Sequence, residues 1–262
     1  MRVDHYVGRR VEFEHERMGE HALLLRFGAG IDRALNARVH EACARLRGAS
    51  LDGLQELVPA YASVLLRFEP RVWAVDEGVR HDGLADDPAP PHDALTLLLD
   101  RVRAALSGGD ASLSQPQSTV HRLPVCYGGE CGADLMAVAE HLGLTPALVI
   151  ERHCAAEYTV AMLGFAPGFA YLLGMDDALT VPRLPQPRTR VPAGSVGIGG
   201  AQTGIYPAEL PGGWQLIGRT PLILFDPAND ARPCRFAAGD RVRFEPIDAA
   251  TFDVLQQQDV RW

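Results

Sequence analysis

The sequence predicts an α+β protein with an N-terminal split-βαβ (ferredoxin-like) α/β domain over 1–110 and a second domain of short strands over 111–262. Three observations carry this expectation. In the first half, compact apolar runs alternate with two stretches of 3.6-residue apolar period. In the second half, Gly and Pro recur every few residues among β-branched and aromatic residues, as many short strands joined by tight turns require. The length of 262 residues suits two ordinary domains with cores of their own.

HALLLRFGAG (21–30) is an apolar run closed by glycines and reads as a strand. Ile31, Leu35, Val39, Ala42 and Leu46 then recur at helical spacing with arginines between them. LQELVPAYAS and SVLLRFEP follow as two further strands, and 70–91 reads as a loop rich in Asp, Gly and Pro. HDALTLLLDRVRAAL places Leu95, Leu98, Leu99, Val102 and Leu106 on one helix face, and SGGDASLSQPQS ends it. With STVHRLPVCYG as the last strand, the order is β-α-β-β-α-β.

The second half opens with two helical patterns, ADLMAVAEHLG and TPALVIERHC, which enter it as a hairpin. After them the Gly and Pro punctuation favours a barrel or a sandwich over a helical layer. No internal repeat is visible.

Composition excludes several chemistries. The formal charge is 25 minus 33, or -8, which opposes an undirected grip on nucleic acid or on anionic lipid. All 25 cationic side chains are arginine, so there is no Schiff-base, biotinylated or Walker lysine. The five cysteines are odd in number and nowhere spaced C-x-x-C, so a disulfide framework and a zinc knuckle are not indicated. With no apolar leader or membrane-length run, the expected location is the cytoplasm, with reduced thiols.

Single motifs point in weak directions. LMAVAEHLGLTPALVIERH has a helix-turn-helix outline, but its second helix offers only Arg152 and His153 to a phosphate, so a structural hairpin is expected. VPAGSVG approaches a nucleophile elbow, yet the glycines after Ser195 bar the helix that an elbow needs. GIGGAQTG (197–204) fits neither phosphate-loop pattern. Its glycines permit positive φ and close approach, to a ligand or to a packed neighbour. GFAPGFAYLLG sets Phe165, Phe169 and Tyr171 among Gly and Pro, and PRLPQPRTRVP (182–192) holds three arginines on a stiff segment suited to a carboxylate or phosphate. His153 has no second ligand at metal spacing, so no metal is expected.

The order of these segments is more specific than any one of them. VCYGGECGADLMAVAEHLGLTPALVIERHCAAEYTVAMLGFAPGFAYLLG, PRTRVPAGSVGIGGAQTGIYP, PGGWQLIGRTPLILFDP and GDRVRF closely resemble the B-subunit family of 5-oxoprolinase, also called allophanate hydrolase subunit 1 or the KipI family. The resemblance covers about 120–247. It implies a cyclophilin-like β-barrel as the C-terminal domain.

It also implies a component of an ATP-dependent 5-oxoprolinase, which opens 5-oxo-L-proline to L-glutamate with a paired barrel protein, the C component, and a third protein, the A component. ATP is then bound by the complex, on another protein or across an interface, and the chain alone is inactive. Alternatives within the same resemblance are an inhibitor of a sensor histidine kinase and a component related to allophanate hydrolase or urea carboxylase. Carried over by position, the pocket residues are Tyr158, Phe169, Tyr171, Arg188, Ser195, Gln202, Thr203, Tyr206 and Trp214, with His153 as the catalytic acid or base. Arg188 is the expected cation for the substrate carboxylate, Gln202 a donor and Phe169 or Trp214 an apolar wall. Leu210 and Cys154 depart from the family pattern, which leaves the fold and assignment expectations unchanged.

Overall fold

The chain divides into two units, Met1–Gln115 and Pro116–Trp262, and the computed structural model describes residues 12–73, 94–107 and 119–258. The rest of the expected 70–91 loop after Trp73, and most of the break at 107–118, lie outside the described residues.

In the first unit the order is β1 (Glu14–Arg17), β2 (Ala22–Arg26), α1 (Arg33–Gly48), β3 (Leu54–Pro59), β4 (Ser63–Phe68), a helical turn α2 (Pro70–Trp73) and α3 (Ala94–Ser107). Alternation buries Leu23 and Leu25 of β2, and Val64, Leu66 and Phe68 of β4, on one face of the sheet. Val39, Ala42, Cys43 and Leu46 of α1, with Leu98, Leu99, Val102 and Leu106 of α3, cover that face. Asp32 starts α1, its carboxylate accepting from Leu35 N at 2.7 Å.

The antiparallel sheet runs β1-β2-β4-β3. β2 and β3 are joined by α1 and flank β4, which is the split-βαβ arrangement. The expected last strand, STVHRLPVCYG, is not in this sheet. The fourth place is taken by β1, folded back on β2 as a hairpin. The physical reason is that a strand pattern carries no information about its partner.

STVHRLPVCYG instead supplies β5 (Val120–Tyr127) of the second unit. There follow α4 (Leu135–Leu142), α5 (Pro146–Ala155), β6 (Tyr158–Leu163), β7 (Ala170–Leu173), β8 (Arg188–Val191), β9 (Ser195–Gly199), β10 (Gln202–Ile205), β11 (Leu210–Gly212), β12 (Gln215–Arg219), β13 (Arg241–Ile247) and α6 (Ala249–Gln257). Seven strands close a barrel in the order β10-β7-β6-β13-β5-β12-β9. Closure removes sheet edges. β5 and β13 pair in parallel from Val120–Arg241 to Cys126–Ile247, while β8 and β11 form a separate ribbon. This closed barrel agrees with the cyclophilin-like expectation.

The barrel is filled by its own side chains. Leu123, Val125, Val160, Ala170, Leu172, Val196, Ile198, Ile205, Ile217, Val242 and Phe244 are all buried in one cluster with Leu135, Val138, Ala139 and Val149 of the helical hairpin. Gly143, at φ +65, ends α4, and Pro146 follows the Thr145 cap to start α5. No helix among the described residues is long and apolar enough to cross a membrane.

The turn after β5 is locked to β12 by Gly128 N donating to Ile217 O at 3.0 Å. A Cβ on Gly132 would collide with that same Ile217 carbonyl, whereas one on Gly129 meets nothing but must adopt φ +54. Gly132→Ala is expected to lower stability by about 2–4 kcal/mol, and Gly129→Ala by only about 1 kcal/mol. Urea unfolding of the two variants, read beside the unsubstituted chain, checks the ranking, and equal losses would refute it.

Candidate functional site

Along β9, Val196 and Ile198 point into the barrel, so Ser195, Gly197 and Gly199 face outward; along β10, Ile205 and Thr203 point in while Gln202 and Gly204 face outward. Gly197 and Gly204 are cross-strand partners. The outward face of these two strands therefore carries almost no side chains. Trp214 lies on it: a Cβ at Gly199 would sit 2.6 Å from Trp214 Cδ1, one at Gly204 3.0 Å from its Cζ3, and one at Gly197 3.1 Å from its Cβ. Of the two close approaches that these glycines permit, the one seen is a packed neighbour: they make a bed for an indole ring. Only Gly200, at φ +66 in the β9–β10 turn with open space around it, is required for its backbone conformation.

Phe169 packs on Trp214 at 5.7 Å between ring centroids, on Tyr171 at 4.8 Å and on Tyr206 at 5.1 Å. Phe165 stands edge-on to Phe169 at 5.3 Å, is 63% exposed, and holds a left-handed φ of +68 that a phenylalanine rarely adopts. Five aromatic rings thus form one outer patch, sealed below and open at Phe165 and Tyr171. Burial raises the Tyr171 and Tyr206 hydroxyls above their ordinary range, with Arg183 nearby pulling the other way.

Two arginines border the patch and are held differently. Arg188 Nη2 donates to Asp134 Oδ1 at 2.6 Å and Nη1 to Trp214 O at 3.4 Å, while Asp134 Oδ2 accepts from Leu216 N at 2.6 Å. Arg188 and Asp134 therefore clamp the chain at Trp214 and at Leu216 of β12. Arg183 is exposed, with its guanidinium carbon 5.7 Å from the Trp214 ring centroid and Nη2 donating to Gln202 Oε1 at 3.3 Å.

His153 lies on the other side of the wall. It stands in the last turn of α5, fully buried, with Phe244 at 4.4 Å between ring centroids. Thr203 Oγ1 donates to Gly197 O at 3.0 Å, so it accepts from His153 Nε2 at 3.1 Å. Nδ1 is then the acceptor for Tyr127 OH at 2.8 Å, which in turn accepts from Cys154 Sγ at 3.5 Å. Tyr158 OH donates to the His153 carbonyl at 2.8 Å. Both ring nitrogens are occupied, and burial pushes the imidazole down to about 3.

Among the described residues, no group of three His, Cys, Asp or Glu is placed to hold a metal.

The carboxyltransferase domain family, subdomain C and D, matches residues 13–236. The 5-oxoprolinase B-subunit of Bacillus subtilis (strain 168) is 38% identical over 248 residues, 95% of this chain and 98% of that protein. The chain belongs to the 5-oxoprolinase B-subunit family. The solved structure of TTHA0988 is 34% identical with a TM-score of 0.66; the match covers 87% of this chain but only 40% of that longer one. Urea amidolyase of K. lactis, at 19% identity and a TM-score of 0.70, covers 97% of this chain and 16% of its own, a likeness of fold alone.

The residues carried over from the family pattern fall into two groups. Phe169, Tyr171, Arg188, Ser195, Gln202, Tyr206 and Trp214 belong to the outer face of the wall or its border. His153, Tyr158 and Thr203 belong to the interior. His153, the expected catalytic acid or base, is fully buried with both ring nitrogens hydrogen-bonded, on the opposite side of the wall from the aromatic patch. Arg188, the expected cation for the substrate carboxylate, donates to Asp134 and to Trp214 O. Ser195 is buried with no acid or base bonded to it among the described residues. Sequence reasoning passes over Asp134, Tyr127 and Arg183 individually; only Arg183 has a signal, as the first arginine of the proline-stiffened segment.

The acid side follows from His153. Its folded-state value lies far below the ordinary 6.5, so the fold favours the neutral ring, and its contribution is fully present above pH 6.5 and lost as pH falls toward about 3. Unfolding free energy from urea titrations should drop across that window with a His153 share approaching 1.4 kcal/mol per pH unit at about 25 °C. A His153→Asn variant that keeps the wild-type slope would contradict this.

For the outer face, Gly199→Val is expected to push Trp214 off its bed, shifting tryptophan emission to longer wavelength, at a cost of about 1–3 kcal/mol. Unchanged emission from folded Gly199→Val protein would show that the indole does not rest there.

Proposed function

We propose that this chain is the B component of an ATP-dependent 5-oxoprolinase that opens 5-oxo-L-proline to L-glutamate together with a paired barrel protein, the C component, and a third protein, the A component. The observation that carries the reading is the end-to-end match, 95% of this chain and 98% of the relative's length, to a 5-oxoprolinase B-subunit. The geometry supports it in a specific way. The barrel interior is lined by a buried apolar cluster, while the outer face presents an aromatic floor with an exposed arginine and an amide at its border.

Such a face is half of a binding site. It supplies an apolar wall, hydrogen-bonding groups and a cation, which suit a small ring bearing an amide and a carboxylate. Among its described residues no acid-base pair or activated nucleophile is assembled, and in this reading those groups come from the protein that covers it. ATP is bound elsewhere in the complex: this chain has no lysine and no phosphate loop. An ATP-driven reaction and five free thiols suit a reducing cytoplasm.

Mixing the purified chain with its C and A components, ATP and 5-oxoproline is expected to release glutamate. Omission of this chain is expected to abolish release. Glutamate production by the chain alone, or none from a mixture in which all three proteins are folded and associated, would sink the proposal.

A further inference from the structure

Arg183 is held in place far more firmly than an exposed side chain on a proline-rich segment needs to be. On its N-terminal side, Pro182 O accepts from Gln215 Nε2 at 3.2 Å, and Val181 O accepts from Gly200 N at 2.7 Å. On its C-terminal side, Leu184 N donates to Gly213 O at 2.7 Å. The backbone is thus stapled at three points, to the β9–β10 turn and to the two residues that flank Trp214. Prolines 182 and 185 stiffen what lies between.

The side chain is oriented as well. Its guanidinium stacks over Trp214 at 5.7 Å and spends one donor on Gln202 Oε1. Gln202 is itself buried in the wall, so the arginine is tied to a fixed group. Among the described residues no carboxylate pairs with Arg183. Its charge opposes the burial that raises the Tyr171 and Tyr206 hydroxyls. Arg188 is the contrasting case, with its donors taken up by Asp134 and the Trp214 carbonyl.

We propose that Arg183 is the residue that binds the carboxylate of a small cyclic ligand at this face, with the ring of the ligand resting on the aromatic patch beside it. This rests on the reading of the chain as a 5-oxoprolinase component and adds to it the group that selects an anionic ring over a neutral one. A guanidinium fork presented from a stacked, preorganised position meets a carboxylate through two parallel N–H donors, and this geometry discriminates by charge and by shape.

The test reads binding without turnover. 5-Oxoproline, and 2-pyrrolidinone as the same ring lacking the carboxylate, are titrated calorimetrically into the assembled three-protein complex in the absence of ATP. Arg183→Gln is expected to weaken 5-oxoproline binding by roughly tenfold or more while leaving 2-pyrrolidinone unaffected, and Arg183→Lys to recover part of the loss. In turnover, the same substitution raises KM with kcat little changed. Equal 5-oxoproline affinity in the wild-type and Arg183→Gln complexes, with circular dichroism unchanged, overturns the assignment. A wild-type complex that binds 5-oxoproline but never opens it defeats the functional reading, and Arg183 then stands or falls on the affinity ratio. A wild-type complex that does not bind 5-oxoproline defeats both.

Discussion

An indole ring lies where two neighbouring strands have no side chains, and the architecture of the site follows from that contact. Gly197, Gly199 and Gly204 leave one face of β9 and β10 bare, so Trp214 can lie flat on it, and Phe169, Tyr171 and Tyr206 pack around the indole. A single methyl group at Gly199 or Gly204 would occupy space that the ring already fills. Close packing of this kind tolerates little added volume. The same strands face inward with Val196, Ile198 and Ile205, so one thin wall separates an oily barrel core from an aromatic outer patch.

The wall is also tied together through its polar groups. Thr203, between bare Gly204 and Gln202 on β10, donates inward to Gly197 O and accepts from His153, so the glycine strand is hydrogen-bonded to the helical hairpin that plugs the barrel. On the outer side, Asp134 at the start of that hairpin holds Arg188 and the Leu216 amide, the two contacts that fix Trp214 from behind. The hairpin, whose outline alone suits a DNA reader, is therefore an internal strut. Its polar residues are spent on the barrel on both sides of the wall. Buried polar groups that are fully bonded specify one arrangement, because any alternative leaves a donor or acceptor stranded.

How much of this is legible in the sequence depends on whether the information is local. The helices of the first unit, the hairpin and the strand-rich second half are readable because periodicity and turn residues act within a few positions. β1 is not readable: EHER is polar, and nothing in four residues announces a strand that pairs at the margin of a sheet. STVHRLPVCYG reads correctly as a strand but is placed in the wrong sheet, since its parallel partner β13 begins at Arg241. His153 looks like a lone titrating group because Thr203, its partner, stands 50 residues away. The glycine run announces that something large approaches the chain, and only the fold says that it is Trp214. Among the three arginines of the proline-rich segment, nothing in the pattern separates Arg183 from Arg188; the separation appears only when their acceptors are known.

A barrel packed solid restricts where chemistry can occur. Leu123, Val160, Leu172, Ile198 and Phe244 are buried in one apolar cluster, so among the described residues the polar and aromatic groups suited to a small ligand lie on the outer face. On an open face, water screens a guanidinium and competes for every donor, so a carboxylate held there is held weakly. Under the proposed function, covering the face with a second protein surface expels that water, strengthens the charge-assisted hydrogen bonds and brings in further reacting groups. The dependence on a partner is thus tied to the openness of the face: a ligand held on the outer wall needs a lid made by another protein.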